Sequence, residues 1–175
     1  LPDFEAYRQK MLKSDVINVM VSPRGVGRTI WDQSERKQVQ HQRRFYLLGE
    51  SLGGMQVWDV RRALQAIRTI DTAAGATIMI GGYDHSAALV MYASLFEDVT
   101  TIGMTRMAES DIESLPLLNV SRFFNVDQIV AAVASRQRVI LNQIPADAFE
   151  FTRKTAEIQG WDKSRFIFLP DEAEE

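Results

Sequence analysis

Residues 76–93 read ATIMIGGYDHSAALVMYA, and this stretch decides the fold. Residues 77–80 form a short β-branched, apolar run of the kind found in buried strands. Gly81 and Gly82 then punctuate the chain, and residues 86–96 (SAALVMYASLF) predict a helix that opens at the turn. A strand, a glycine turn and a helix in that order present residues at the carboxyl end of a strand, where ligands bind in open α/β sheets. Gly82, Tyr83, Asp84 and Ser86 are therefore the candidate ligand-binding residues, with His85 among them. His85 and Ser86 cannot act as a pair, because adjacent residues on a helix do not face each other. The simpler reading is structural: Asp84 caps the helix, His85 lies in its first turn, and the turn keeps its shape without chemistry.

Working outward, the same alternation repeats. Val57, Val60, Leu64, Ile67 and Ile70 recur every three or four residues and mark one face of a helix closed by Ala73-Ala74-Gly75. Before it, residues 15–22 (DVINVMVS) predict a buried strand that ends in the turn Pro23-Arg24-Gly25-Val26-Gly27. Residues 29–44 are polar and predict a loop and a short helix, and Phe4, Tyr7 and Met11 have helical spacing. On the other side, residues 99–104 predict a strand and residues 105–124 a long loop through Pro116. A helix over 126–135 with Asp127 in its first turn, a strand over 138–142 and a turn at Pro145 follow. A helix over 148–159 stopped by Gly160 and a strand over 165–169 complete the series. Strands alternating with helices predict an α/β fold, a three-layer α/β/α arrangement around a mostly parallel sheet with right-handed crossovers. Residues 1–175 are expected to form a single domain.

Composition narrows the function. The 175 residues carry a net charge of -3 with both signs interspersed, which gives no electrostatic footprint for nucleic acid. No apolar run approaches the length of a membrane-spanning helix. The absence of cysteine removes disulfides and thiolate catalysis, and two histidines, His41 and His85, do not suggest a metal site. Gly25 and Gly27 follow a strand-like run, but the further residues of a phosphate loop are missing, and nothing calls for a cofactor.

A second stretch competes for attention. Gly49-Glu50-Ser51-Leu52-Gly53 matches G-x-S-x-G, the pattern of serine hydrolases, whose serine sits on a strained strand-to-helix turn. Residues 45–48 read as a brief strand or as helix, so the local context permits such an elbow. The chain order does not favour it. Triad chemistry in that fold needs an acid and then a histidine after the nucleophile, and the only histidine after Ser51 is His85, at the next strand's turn. A serine hydroxyl without a base is a poor nucleophile near neutral pH. Ser51 therefore reads as a decoy whose glycines permit a turn.

Several stretches resemble the bacterial α/β-hydrolase proteins related to acetyl xylan esterases, in particular their C-terminal portions. They are RRFYLLGESLGGMQVWDVRRALQAIR, IMIGG, MYASLFE and LLNVSRFFNVDQIVAAVASRQRVIL, with Trp58-Asp59-Val60-Arg61-Arg62-Ala63 the most specific piece. The resemblance spans roughly residues 16–169. It implies that residues 81–86 are the nucleophile elbow, with Tyr83 where active members have serine. It also implies that Asp147, after the fourth strand, stands where the triad acid is expected, although an aspartate there also suits a helix cap.

By the same resemblance, a strand expected between the Val19 strand and the residue 77–80 strand comes earlier in the chain, as does part of the oxyanion hole. These residues are thus expected to be the C-terminal part of a longer protein, with an upstream segment or a partner hydrolase domain supplying the rest. Three functions follow. The first is a catalytically degenerate hydrolase domain that supports or binds for an active one. The second is an active esterase on carbohydrate acetyl groups using Ser51, His85 and a carboxylate such as Asp147, Asp84 or Asp111. The third is a small-molecule-binding domain at the Tyr83–Ser86 turn.

Overall fold

The computed structural model describes residues 8–9, 16–32, 34–110 and 115–170. Asp111 and most of the helix expected over residues 3–13 lie outside them. Within the described residues five helices and four strands follow one another. They are α1 (Glu35–Leu47), α2 (Leu52–Ile67), β1 (Met79–Tyr83), α3 (His85–Ser94), β2 (Thr101–Thr105), α4 (Val126–Ala134), β3 (Arg138–Ile144), α5 (Glu150–Ile158) and β4 (Phe166–Pro170). The strands lie in the order β1-β2-β3-β4, all parallel. This is the α/β fold that the alternation predicts.

Register explains the core. Ile80, Ile102, Val139 and Phe166 stand side by side across the sheet. Ile102, Met104, Val139 and Leu141 are fully buried on that face. Right-handed crossovers in a sheet whose strands follow in sequence order put the connecting helices on one face. The opposite row, Gly81, Gly103, Ile140 and Ile167, is half-buried or exposed. Helix α3 is apolar all round and buried from Ala87 to Ser94, because α2 lies on one side of it and the sheet on the other.

Ends are closed by local chemistry. Asn125 and Gln128 form a reciprocal capping box at the start of α4. Gly160, at φ +60, stops α5, and the Trp161 N–H reaches back to the Ala156 carbonyl. Within the specific stretch at residues 58–63, Asp59 and Arg61 act as staples. Asp59 takes two side-chain bonds and the backbone N–H of Arg24, fixing the turn at residues 23–26 on α2. Arg61 and Gln65, together with Arg68 just past the helix, donate to the carboxylate of Glu97, which is only 5% exposed.

Two sequence expectations fail. Residues 16–22 are not assigned to a strand and are exposed, with Val16, Ile17 and Met20 each more than 60% so, and the four described strands form the sheet without them. Asp147 does not cap α5. The residue before α5 is Phe149, in a left-handed conformation, and the cap comes from α4. The Asp127 carboxylate accepts from the N–H groups of Phe151 and Thr152 and from the Thr152 hydroxyl.

Candidate functional site

The turn after β1 is tightly constrained. Tyr83 is the last residue of β1, and Asp84, between β1 and α3, has φ 49 and ψ −124. A non-glycine residue at positive φ with that ψ is strained by about 1–3 kcal/mol, and such residues persist where the surroundings force them. The surroundings here are explicit. The Asp84 N–H donates to the Thr105 carbonyl of β2 (3.0 Å), and the Asp84 carbonyl accepts from Ala87 (2.9 Å). The Ser86 hydroxyl accepts from the Tyr83 N–H (2.8 Å) and donates to the Tyr83 carbonyl (2.7 Å), closing the turn on itself. Gly82 makes the closure feasible: a Cβ there would sit 2.2 Å from the Ser86 carbonyl oxygen and 2.6 Å from the Ala87 nitrogen.

This is a tight strand-to-helix turn, and Asp84 stands at its apex. Tyr83, which the resemblance puts where active members have serine, is the last residue of β1, one position before that apex. The signal was in the spacing: Gly82 and Ser86 are small residues placed two before and two after Asp84, the same x-centred frame as G-x-S-x-G.

Arg106 stands beside the apex. It follows β2 at φ 53, and its N–H donates to the Asn142 carbonyl of β3. Its guanidinium donates to the Tyr83 hydroxyl (2.9 Å), lies 5.5 Å from the centre of the Tyr83 ring, and approaches the Asp84 carboxylate at 3.6 Å. Sequence reading missed Arg106, because it follows the next strand and only the parallel register brings it to this edge. Both charges are more than half exposed, so the pair positions groups rather than adding much stability.

The other candidates are held elsewhere. His85 shares a hydrogen bond with Gln56 of α2 (3.1 Å), and Gln56 donates in turn to the Arg24 carbonyl (2.9 Å). Asp147 is exposed beyond β3, two strands from β1 in the sheet order, and its carbonyl accepts from Arg153. Ser51 is the N-cap of α2: its hydroxyl accepts from the Gly54 N–H (3.0 Å) and is 6% exposed with its residue.

The two glycines and the serine of the G-x-S-x-G stretch each have a structural cause. Gly49 takes φ +74 after α1, and Ser51 caps α2. Gly53 lets Leu115 pack against the helix, since a Cβ would lie 2.8 Å from the Leu115 Cδ1. The stretch connects helix to helix, whereas an elbow connects strand to helix.

No family model matches this sequence, and no curated protein matches it. Among solved structures the fold is similar to one described as a "putative acetyl xylan esterase" from Bacteroides fragilis, with a TM-score of 0.70 and 17% sequence identity. The match covers 87% of this chain and 46% of that one, so the chain spans less than half of that protein's length. The likeness, carried by the parallel sheet and its helices, is one of fold: an esterase-like α/β architecture.

Proposed function

We propose that this chain is an esterase-related domain whose nucleophile position carries an aspartate, so that it supports or binds a carbohydrate ester or a similar small molecule rather than cleaving it. One observation carries the reading: Asp84 occupies the strained apex between β1 and α3. A carboxylate is the wrong nucleophile for ester hydrolysis. Its attack on an ester carbonyl would lead to an anhydride with expulsion of a far more basic alkoxide, so the tetrahedral adduct reverts to carboxylate and ester.

Binding is favoured by the neighbours of the apex. Tyr83, Asp84 and Arg106 present an aromatic ring, an acceptor and a donor at the carboxyl edge of the sheet, the position at which open α/β sheets bind ligands. The alternative is an active esterase using Ser51, with His85 and Asp147.

Turnover of p-nitrophenyl acetate separates the readings. The expected result is a rate at the buffer background for the chain and for Ser51→Ala alike. A rate well above background that Ser51→Ala removes would overturn the proposal. Acetylated xylo-oligosaccharides should raise the melting temperature with concentration, by mass action, and Arg106→Ala should weaken that rise.

A further inference from the structure

Given the sugar-binding reading above, on which the inference rests, we propose that Gln143 joins Asp84 and Arg106 in one ligand-binding row and selects a neutral oligosaccharide over a single sugar. Register sets the row. Tyr83, Thr105 and Asn142 stand side by side on β1, β2 and β3. The residue after each of them, Asp84, Arg106 and Gln143, takes a positive φ of 49, 53 and 53. Five non-glycine residues do so among the described residues, and three of the five fall on this one line across the strands. Conformations of this kind cluster where ligands are held.

Alternation explains what the unusual backbone achieves. Asp84, Arg106 and Gln143 follow Gly82, Met104 and Leu141 by two positions, so regular strands would aim them at the same face. Met104 and Leu141 are fully buried there. A carboxylate, a guanidinium and a carboxamide are costly to bury without partners. The positive φ turns each residue out of the strand pattern, and all three are exposed. At Gln143 the turn is an irregularity in the pairing with β4, between Asn142 and Ile144, and such bulges re-aim a side chain. The Asp84 N–H still donates to the Thr105 carbonyl and the Arg106 N–H to the Asn142 carbonyl, so the row keeps the spacing of the sheet.

Neighbouring strands lie about 4.8 Å apart, so the row runs about 10 Å from Asp84 to Gln143, longer than one sugar ring. Its chemistry suits a neutral polar ligand. The Asp84 carboxylate accepts, the Arg106 guanidinium donates and the Gln143 carboxamide does both, a set that matches hydroxyl groups. Asp84 and Arg106 approach at 3.6 Å, so their charges offset. An anion at Arg106 would meet the carboxylate, and a cation at Asp84 would meet the guanidinium. Tyr83, whose hydroxyl accepts from Arg106, flanks the end of the row at β1. One ring of an acetylated xylo-oligosaccharide then lies at Asp84 and Arg106, and a later ring reaches Gln143.

The test titrates the chain with acetylated xylose and with acetylated xylotriose, followed by amide chemical shifts. The trisaccharide is expected to bind about tenfold more tightly than the monosaccharide. Gln143→Gly accepts the positive φ, so its melting temperature should hold or rise. It should bind the trisaccharide about fivefold to tenfold more weakly and the monosaccharide unchanged. Gln143→Asn, which keeps a carboxamide and tolerates positive φ, should recover part of the loss. Arg106→Ala should weaken both sugars alike. If Gln143→Gly leaves trisaccharide binding unchanged, or weakens both sugars equally, the role of Gln143 is refuted, while a continued effect of Arg106→Ala would leave the sugar-binding reading standing. Absence of binding of either sugar to the unaltered chain would overturn both.

Discussion

Replacing Gly82 with alanine tests the elbow at its tightest point. The new Cβ would lie 2.2 Å from the Ser86 carbonyl oxygen, 2.4 Å from its carbon and 2.6 Å from the Ala87 nitrogen. All three are backbone atoms, so no side-chain rotation relieves the overlap, and the start of α3 must move. Overpacking alone costs about 1–3 kcal/mol. Moving the turn also loosens the bonds between Ser86 and Tyr83, each worth about 1 kcal/mol. The total is about 4 kcal/mol, a fall in melting temperature of roughly 8–16 °C for a chain of this size.

Gly81 is the internal control. A Cβ there meets only the Gly103 carbonyl oxygen, at 3.6 Å, an ordinary contact. Gly81→Ala should therefore be neutral or stabilise by up to about 1 kcal/mol through the unfolded state. Urea unfolding followed by tryptophan fluorescence would read both variants. Unfolding of Gly82→Ala within about 1 kcal/mol of Gly81→Ala would refute a close approach of Gly82 to the start of α3.

Three further outcomes follow. Asp84→Gly should stabilise the fold by about 1 kcal/mol, because glycine accepts the positive φ that strains aspartate; a loss of stability in thermal unfolding would contradict the strain. Ser51→Ala should cost about 1 kcal/mol through the lost cap of α2, measured by the same unfolding assay, and a neutral result would remove the capping role.

The third concerns acid. Burial pushes the Glu97 carboxyl up, but the bonds from Arg68, Gln65 and Arg61 outweigh it and hold it below its ordinary value. The Arg24 hydrogen bond does the same for Asp59 against partial burial. Groups with depressed folded values contribute stability that is present above their unfolded values, roughly pH 4, and lost as pH falls through the folded ones. Melting temperature should hold near neutrality and drop below about pH 4, and Glu97→Gln should flatten that drop.

The legible part of the fold was what local pattern specifies. The spacing of Val57, Val60 and Leu64 marked the buried face of α2, and the apolar runs marked β2, β3 and β4 to within a few residues. Gly160 marked the end of α5. What failed depends on neighbours distant in sequence. Residues 16–22 have the composition of a buried strand, yet burial depends on a partner that local sequence does not name. The cap of α5 comes from Asp127, more than twenty positions earlier, so the nearer Asp147 looked like the cap. Tyr83 and Asp84 differ by one position, and only the backbone conformation at Asp84 settles which of them sits at the apex. Arg106 reaches the site through the pairing of β1 with β2, which no stretch of sequence displays.

The proposed function needs a carboxylate at the apex between β1 and α3 and a capping hydroxyl at Ser51. Labelling the folded chain with a fluorophosphonate and locating any adduct by mass spectrometry tests both at once. A serine activated by a base forms a covalent adduct at phosphorus, whereas a capping hydroxyl and an elbow aspartate do not. The account predicts no stable adduct at any residue. A stoichiometric adduct on Ser51, abolished by His85→Ala, would contradict it and establish an active serine where the structure places a cap.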